Sequence, residues 1–158
     1  MNVSLRIERA QAYLYAIVTG VFSLAGARRV SLRILGTCAE HGLGKVLIDI
    51  RALQGTMSTL DDFEWAAFLA AEHGRRVAEG LPPLRFVILG NRPLLRPASP
   101  VAKAAGDVAE DRFGENVMVN RGLDVRSTTE PGQAIDLLGI RPAREDLGLQ
   151  GASRHPEA

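Results

Sequence analysis

Three groups of side chains in this chain have types and spacings suited to chemistry. Asp49 and Arg51 stand two residues apart in an apolar run. Ser58 and Thr59 stand just ahead of Asp61 and Asp62. Arg92 and Arg96 sit in a proline-rich loop, with Lys103 beyond. An acid and a guanidinium two apart on a strand share one face, where they could orient a ligand or a catalytic water. The everyday alternative is a structural ion pair. No nucleophile or metal partner accompanies Asp49 in the sequence, so a general base has nothing to act with. Ser58 or Thr59 at a helix start could accept a phosphate among free amides, against the repulsion of Asp61 and Asp62. Plain helix capping is the alternative. Arg92 and Arg96 could hold a phosphate or an acidic partner, or could simply be solvated cations.

Other chemistries have less support. His41, His73 and His155 have no metal-ligand spacing and are expected as surface or capping residues, and one cysteine cannot complete a zinc site. Cys38 is expected as a small buried hydrophobe. No glycine cluster has phosphate-cradling spacing, and no GxSxG elbow is present. No catalytic residue, no metal and no cofactor are therefore expected.

The elements that must position these residues follow from periodicity. Val3 to Ile7 and Tyr13 to Thr19 alternate as two strands joined around Arg9–Gln11. Ser23 caps a helix whose stripe is Val30, Ile34, Leu35 and Cys38, ended by Gly42 and Gly44. Val46 to Ile50 reads as a central strand, apolar on both faces apart from Asp49. A second helix is expected over Thr59 to Glu79, opened by Ser58 with Asp61 or Thr59 with Asp62 in the manner of a capping box. Its apolar row is Leu60, Phe63, Ala67 and Ala70, widened by Trp65, Phe68 and Leu69. Leu84 to Leu89 is a third strong strand, ended by Gly90–Asn91. A helix around Ala109, Phe113 and Val117 competes with a strand at Val117–Val119. Leu123 to Ser127 is a last strand, and Pro131 to Leu138 a short helix with proline in its first turn. Residues 1–140 read as one domain and 141–158 as a tail with little fixed structure.

Strands alternating with helices give an α/β fold: a mixed four- to five-stranded sheet with helices packed against it. The unit from Val46 to Leu89 is a parallel crossover, so both its strands release their loops at one sheet edge. That edge gathers Arg51, Gln54, Thr56, Ser58, Thr59, Asn91, Arg92 and Arg96.

Composition sets the outer limits. A formal net charge of +1 over 158 residues argues against nucleic-acid binding. One cysteine fits a reducing compartment, and no apolar run approaches the ~18 residues of a membrane span. A cytoplasmic protein is expected.

Val46-Leu-Ile-Asp-Ile-Arg51, then Gly55, a Ser/Thr corner and an acidic helix start, resemble small bacterial STAS-like, SpoIIAA-like proteins. Asn120-Arg121-Gly122, the strand at Val125, and Ala134-Ile135-Asp136-Leu137-Leu138 are similar to the closing elements of such chains. The resemblance spans roughly Val3 to Ile140. In the anti-sigma-factor-antagonist branch the corner holds an Asp-Ser pair whose serine a partner kinase phosphorylates. The resemblance implies Ser58 in that place, with Met57 standing where the aspartate would be. Other relatives resemble lipid-binding domains of the Sec14 type.

The reading is a non-enzymatic regulatory or protein-binding module that works through the Gln54–Thr59 corner and the Asn91–Arg96 loop, with Ser58 as the candidate phosphoacceptor. The alternative is a carrier holding a small apolar or acyl ligand between the sheet and the Trp65 helix. A homodimer through an apolar helix face is a further expected association.

Overall fold

The computed structural model describes residues 1–91 and 117–140. Its elements run β1 (Asn2–Glu8), β2 (Tyr13–Val21), α1 (Leu24–His41), β3 (Lys45–Gln54), α2 (Thr59–Ala78), β4 (Arg85–Leu89), β5 (Asp124–Thr128) and α3 (Pro131–Leu137). The strands form one sheet in the order β1-β2-β3-β4-β5. β1 pairs antiparallel with β2, and every other neighbouring pair is parallel. This is the mixed α/β sheet with packed helices that the alternating pattern predicts. Residues 117–119 are helical, which decides against a strand there. Arg92, Arg96, Lys103 and the expected tail at 141–158 lie outside the described residues.

Alternation along the central strands splits the core in two. On one face Leu14, Val46, Ile48, Phe86 and Ile88 pack with Val30, Ile34 and Cys38 of α1 and Ala66 and Leu69 of α2. On the other, Leu47, Val87 and Leu89 pack with Ala134 of α3 and Leu138 just after it. Central strands that are apolar on both faces, as read for β3, therefore find a helix layer on each side.

Local signals end the helices where expected. Ser23 accepts the Gly26 amide at 3.2 Å at the start of α1, and Gly42 closes α1 in the left-handed region at φ 62°. Cys38 is fully buried, and desolvation pushes its thiol up to about 12, so it is inert at neutral pH.

Two expectations for α2 need correction. Leu60 and Phe63 do not lie in the buried row: they are 67% and 40% exposed, and Ala67 is exposed too. The buried residues are Ala66, Leu69, His73 and Arg76. Two polar side chains thus occupy a helix face that hydropathy assigns to apolar ones, because backbone groups meet them there. His73 Nε2 accepts the Leu84 amide at 3.0 Å. Arg76 donates to the carbonyls of Leu35 at 3.0 Å and Leu43 at 3.4 Å. His73 is accordingly buried rather than at the surface. Burial, with the nearby Arg76 charge, holds its pKa below the ordinary histidine value, so it stays a neutral acceptor.

Candidate functional site

The β3–α2 corner is built from a strand irregularity. Ile17 of β2 pairs with Asp49, but Thr19 pairs with Ala52, so β3 carries one extra residue there. Such a bulge frees a backbone amide and re-aims the side chains that follow. The Arg51 amide is taken up by Asp49 Oδ1 at 3.1 Å. The Arg51 side chain clasps the same carboxylate, Nε to Oδ1 at 3.0 Å and a terminal nitrogen to Oδ2 at 2.7 Å. The Tyr15 hydroxyl donates to Oδ2 at 2.7 Å from β2. The Arg51 carbonyl accepts from the Asn91 side-chain amide at the end of β4. Asp49 and Arg51 thus form the structural pair, and the bulge is held by Asp49 at the Arg51 amide and by Asn91 at the Arg51 carbonyl.

The electrostatics follow. The Arg51 guanidinium holds the Asp49 carboxyl below the usual carboxylate range, against the opposing effect of burial, with help from Tyr15 and the Arg51 amide. Burial and then Asp49 raise the Tyr15 phenol, and Asp49 raises Arg51. An ionised, fully hydrogen-bonded carboxylate of this kind is a brace, poorly suited to taking a proton at neutral pH.

Beyond the bulge, Gln54 ends β3 and its carbonyl accepts the Phe22 amide at 2.8 Å, tying the corner to the end of β2. Gly55 turns the chain at φ 89°, a conformation open to glycine and strained for other residues. Gln54, Gly55, Thr56 and Ser58 are exposed, and Met57 and Thr59 half-buried. Ser58 caps α2 in a complete capping box with Asp61, which settles the choice between the two predicted pairs. Its hydroxyl accepts the Asp61 amide at 3.1 Å and donates to Asp61 Oδ2 at 2.7 Å; the same oxygen accepts the Ser58 amide at 3.1 Å. These bonds hold the Asp61 carboxyl below its ordinary value. Ser58→Ala is expected to cost about 1 kcal/mol in urea denaturation and Ser58→Gly a few tenths, the order set by loss of a cap. Equal stability of S58A and the natural protein would show that the hydroxyl adds nothing there.

The sheet therefore brings together Arg51, Asn91 and the segment from Gln54 to Thr59. Apolar side chains at this edge escape a search for chemistry-bearing residues. Val21, paired with Gln54, is 63% exposed, and Leu60 in the first turn of α2 is 67% exposed. Phe63, one turn on, has Arg121 stacked over its ring at 5.1 Å. Hydropathy assigns Leu60 and Phe63 to the core, yet both reach solvent here. Among the described residues, no group of histidine, cysteine, aspartate and glutamate side chains could hold a metal ion. Nor is any described helix long and apolar enough to cross a membrane.

No family model and no curated protein sequence matches the chain. Among solved structures it is similar to the anti-sigma factor antagonist SpoIIAA in its unphosphorylated form, with TM-score 0.46 and 11% identity over 89% of this chain and 100% of that one. It is also similar to an anti-sigma factor antagonist from Mycobacterium paratuberculosis, with TM-score 0.46 and 11% identity over 87% of this chain and 95% of that one.

Proposed function

We propose that this protein is a non-enzymatic regulatory module that docks a protein partner on the β3–α2 corner. One observation carries the reading. Among the described residues, the two most exposed large apolar side chains are Val21 and Leu60, and both adjoin the corner. A single exposed apolar residue needs no explanation, but two beside a braced turn form the centre of a contact. The corner is also stiff: the bulge is held at both its amide and its carbonyl, and α2 starts from a closed capping box. A preformed surface loses little entropy on binding, which is what a docking site needs.

The partner presents an apolar group to Val21 and Leu60, with hydrogen-bonding groups toward Gln54 and Thr56. A phosphate on Ser58 would break the capping box and set its charge of about −1.5 to −2 against Asp61. Phosphorylation there would loosen the first turn of α2 and weaken docking.

The test is capture of the partner from the native host by the tagged protein, compared with Leu60→Asp and Val21→Asp. Loss of the captured protein in both variants, with unchanged circular dichroism and melting, is the expected result. Undiminished capture would place docking elsewhere. A second copy of this chain as the captured species would make the partner a homodimer.

A further inference from the structure

Between the sheet and the helix pair lies an apolar cavity of about 50 Å³. Val18, Ile48 and Ile88 form its floor, and Ala27, Ile34 and Trp65 its roof. The extra residue in β3 matters here. It lets Leu53 line the cavity along with Ile48 and Ile50, although strict alternation would turn Leu53 to the other face. Trp65 and Ser31, the polar side chains of the wall, bond each other, Trp65 Nε1 donating to Ser31 Oγ at 3.0 Å. Water inside would lack the two to four partners it requires, so the space is dry. Phe22, Leu53 and Met57 are half-buried around it, and Leu53 and Met57 flank the Gln54–Thr56 turn. The mouth therefore opens at the corner already described.

We propose that this cavity receives the terminal carbons of an unbranched alkyl or acyl chain, whose polar head stays outside at the β3–α2 corner. Lining chemistry sets the class: a wall of apolar side chains, whose polar members Trp65 and Ser31 bond each other, offers a hydrocarbon dispersion contacts and a polar group little. Size narrows it. A dry cavity of about 150 Å³ holds a benzene ring, so one near 50 Å³ excludes rings and admits a slim chain end. Met57, flexible and polarisable, is suited to the mouth, because it can move aside and pack against the chain. The site does not depend on the docking reading. If docking holds, however, a seated chain and a docked partner both meet Met57, and the ligand then tunes the docking surface.

Trp65, the only tryptophan, reports directly on occupancy. Its emission would be followed during titration of the purified protein with sodium decanoate, with S-decanoyl-N-acetylcysteamine and with cyclohexanecarboxylate, each below its aggregation limit. A saturable shift with one or both decanoyl compounds and none with the ring is expected. Decanoate alone would assign free acids as the source, and the thioester alone a carrier-bound acyl group. Ala27→Leu, which fills the roof, should weaken binding at least tenfold while the far-ultraviolet spectrum is kept. Ala27→Val serves if the leucine variant does not fold, with a smaller loss. Leu60→Asp should bind as the natural protein does, which separates failure of this site from failure of docking. No shift with either decanoyl compound, an equal shift with the ring, or undiminished binding by a folded Ala27 variant would overturn the proposal.

Discussion

Replacing Arg76 with alanine is expected to lower the unfolding free energy by about 3 kcal/mol, the largest loss expected from a single polar side chain among the described residues. Arg76 is 3% exposed and reaches from α2 to α1, where it donates to the Leu35 carbonyl and to the Leu43 carbonyl just past the end of α1. No carboxylate among the described residues pairs with it. Its charge is met by backbone carbonyl dipoles instead. Alanine would leave those carbonyls without this donor and remove the long stem that fills the space between α1 and α2. Arg76→Met keeps most of the stem and removes only the donors, so it should cost about half as much. Chemical denaturation of the three proteins checks this. A methionine variant as stable as the natural protein would mean that desolvating the guanidinium cancels what its hydrogen bonds contribute.

Asp49→Asn is expected to destabilise the protein by about 1–2 kcal/mol at pH 7, an effect that fades as the pH falls below ~4. The partners decide the size. Asp49 is buried, but the Arg51 side chain is 42% exposed, so solvent screens their attraction and the loss falls short of the ~3–5 kcal/mol for breaking a fully buried pair. The folded state holds the Asp49 carboxyl below its unfolded value. Its contribution is therefore present above the unfolded pKa and lost as the pH falls through the folded one. Asp61 is shifted in the same direction and contributes with the same sign. Comparing the natural protein with Asp49→Asn between pH 7 and pH 3 isolates the Asp49 part. The two curves should converge at the acid end; a constant gap would mean that Asp49 acts through shape rather than charge. Because the same carboxylate takes the Arg51 amide, the variant should also loosen the bulge, seen as faster amide exchange at Arg51.

Much of this architecture is legible in one dimension because the signals are local. Ser58 and Asp61 are three residues apart, so their capping box follows from spacing alone. Gly42 ends α1 because a left-handed residue is cheapest as glycine. The alternation of β1 and β2, the two-sided apolar character of β3 and β4, and the parallel crossover between them place the β3–α2 corner at a sheet edge. The Asp49–Arg51 pairing is also local, since residues two apart on a strand share a face.

What the tertiary structure decided involves groups far apart in the chain, or a departure from strict period. Hydropathy gives Leu60 and Phe63 to the core and His73 to the surface. The buried face of α2 instead carries His73 and Arg76, because the Leu84 amide and the Leu35 and Leu43 carbonyls come to meet them, 11 to 41 residues away in sequence. No periodicity announces an amide or a carbonyl. The bulge at Asp49–Ala52 is equally silent, since it exists only in the register of β3 against β2. By shifting one residue it turns Leu53 into the helix-facing layer and helps shape the cavity. Residue types alone thus determined the elements, the sheet edge and the corner. Packing between distant segments determined which side chains at that corner face solvent, and where the apolar space beneath it opens.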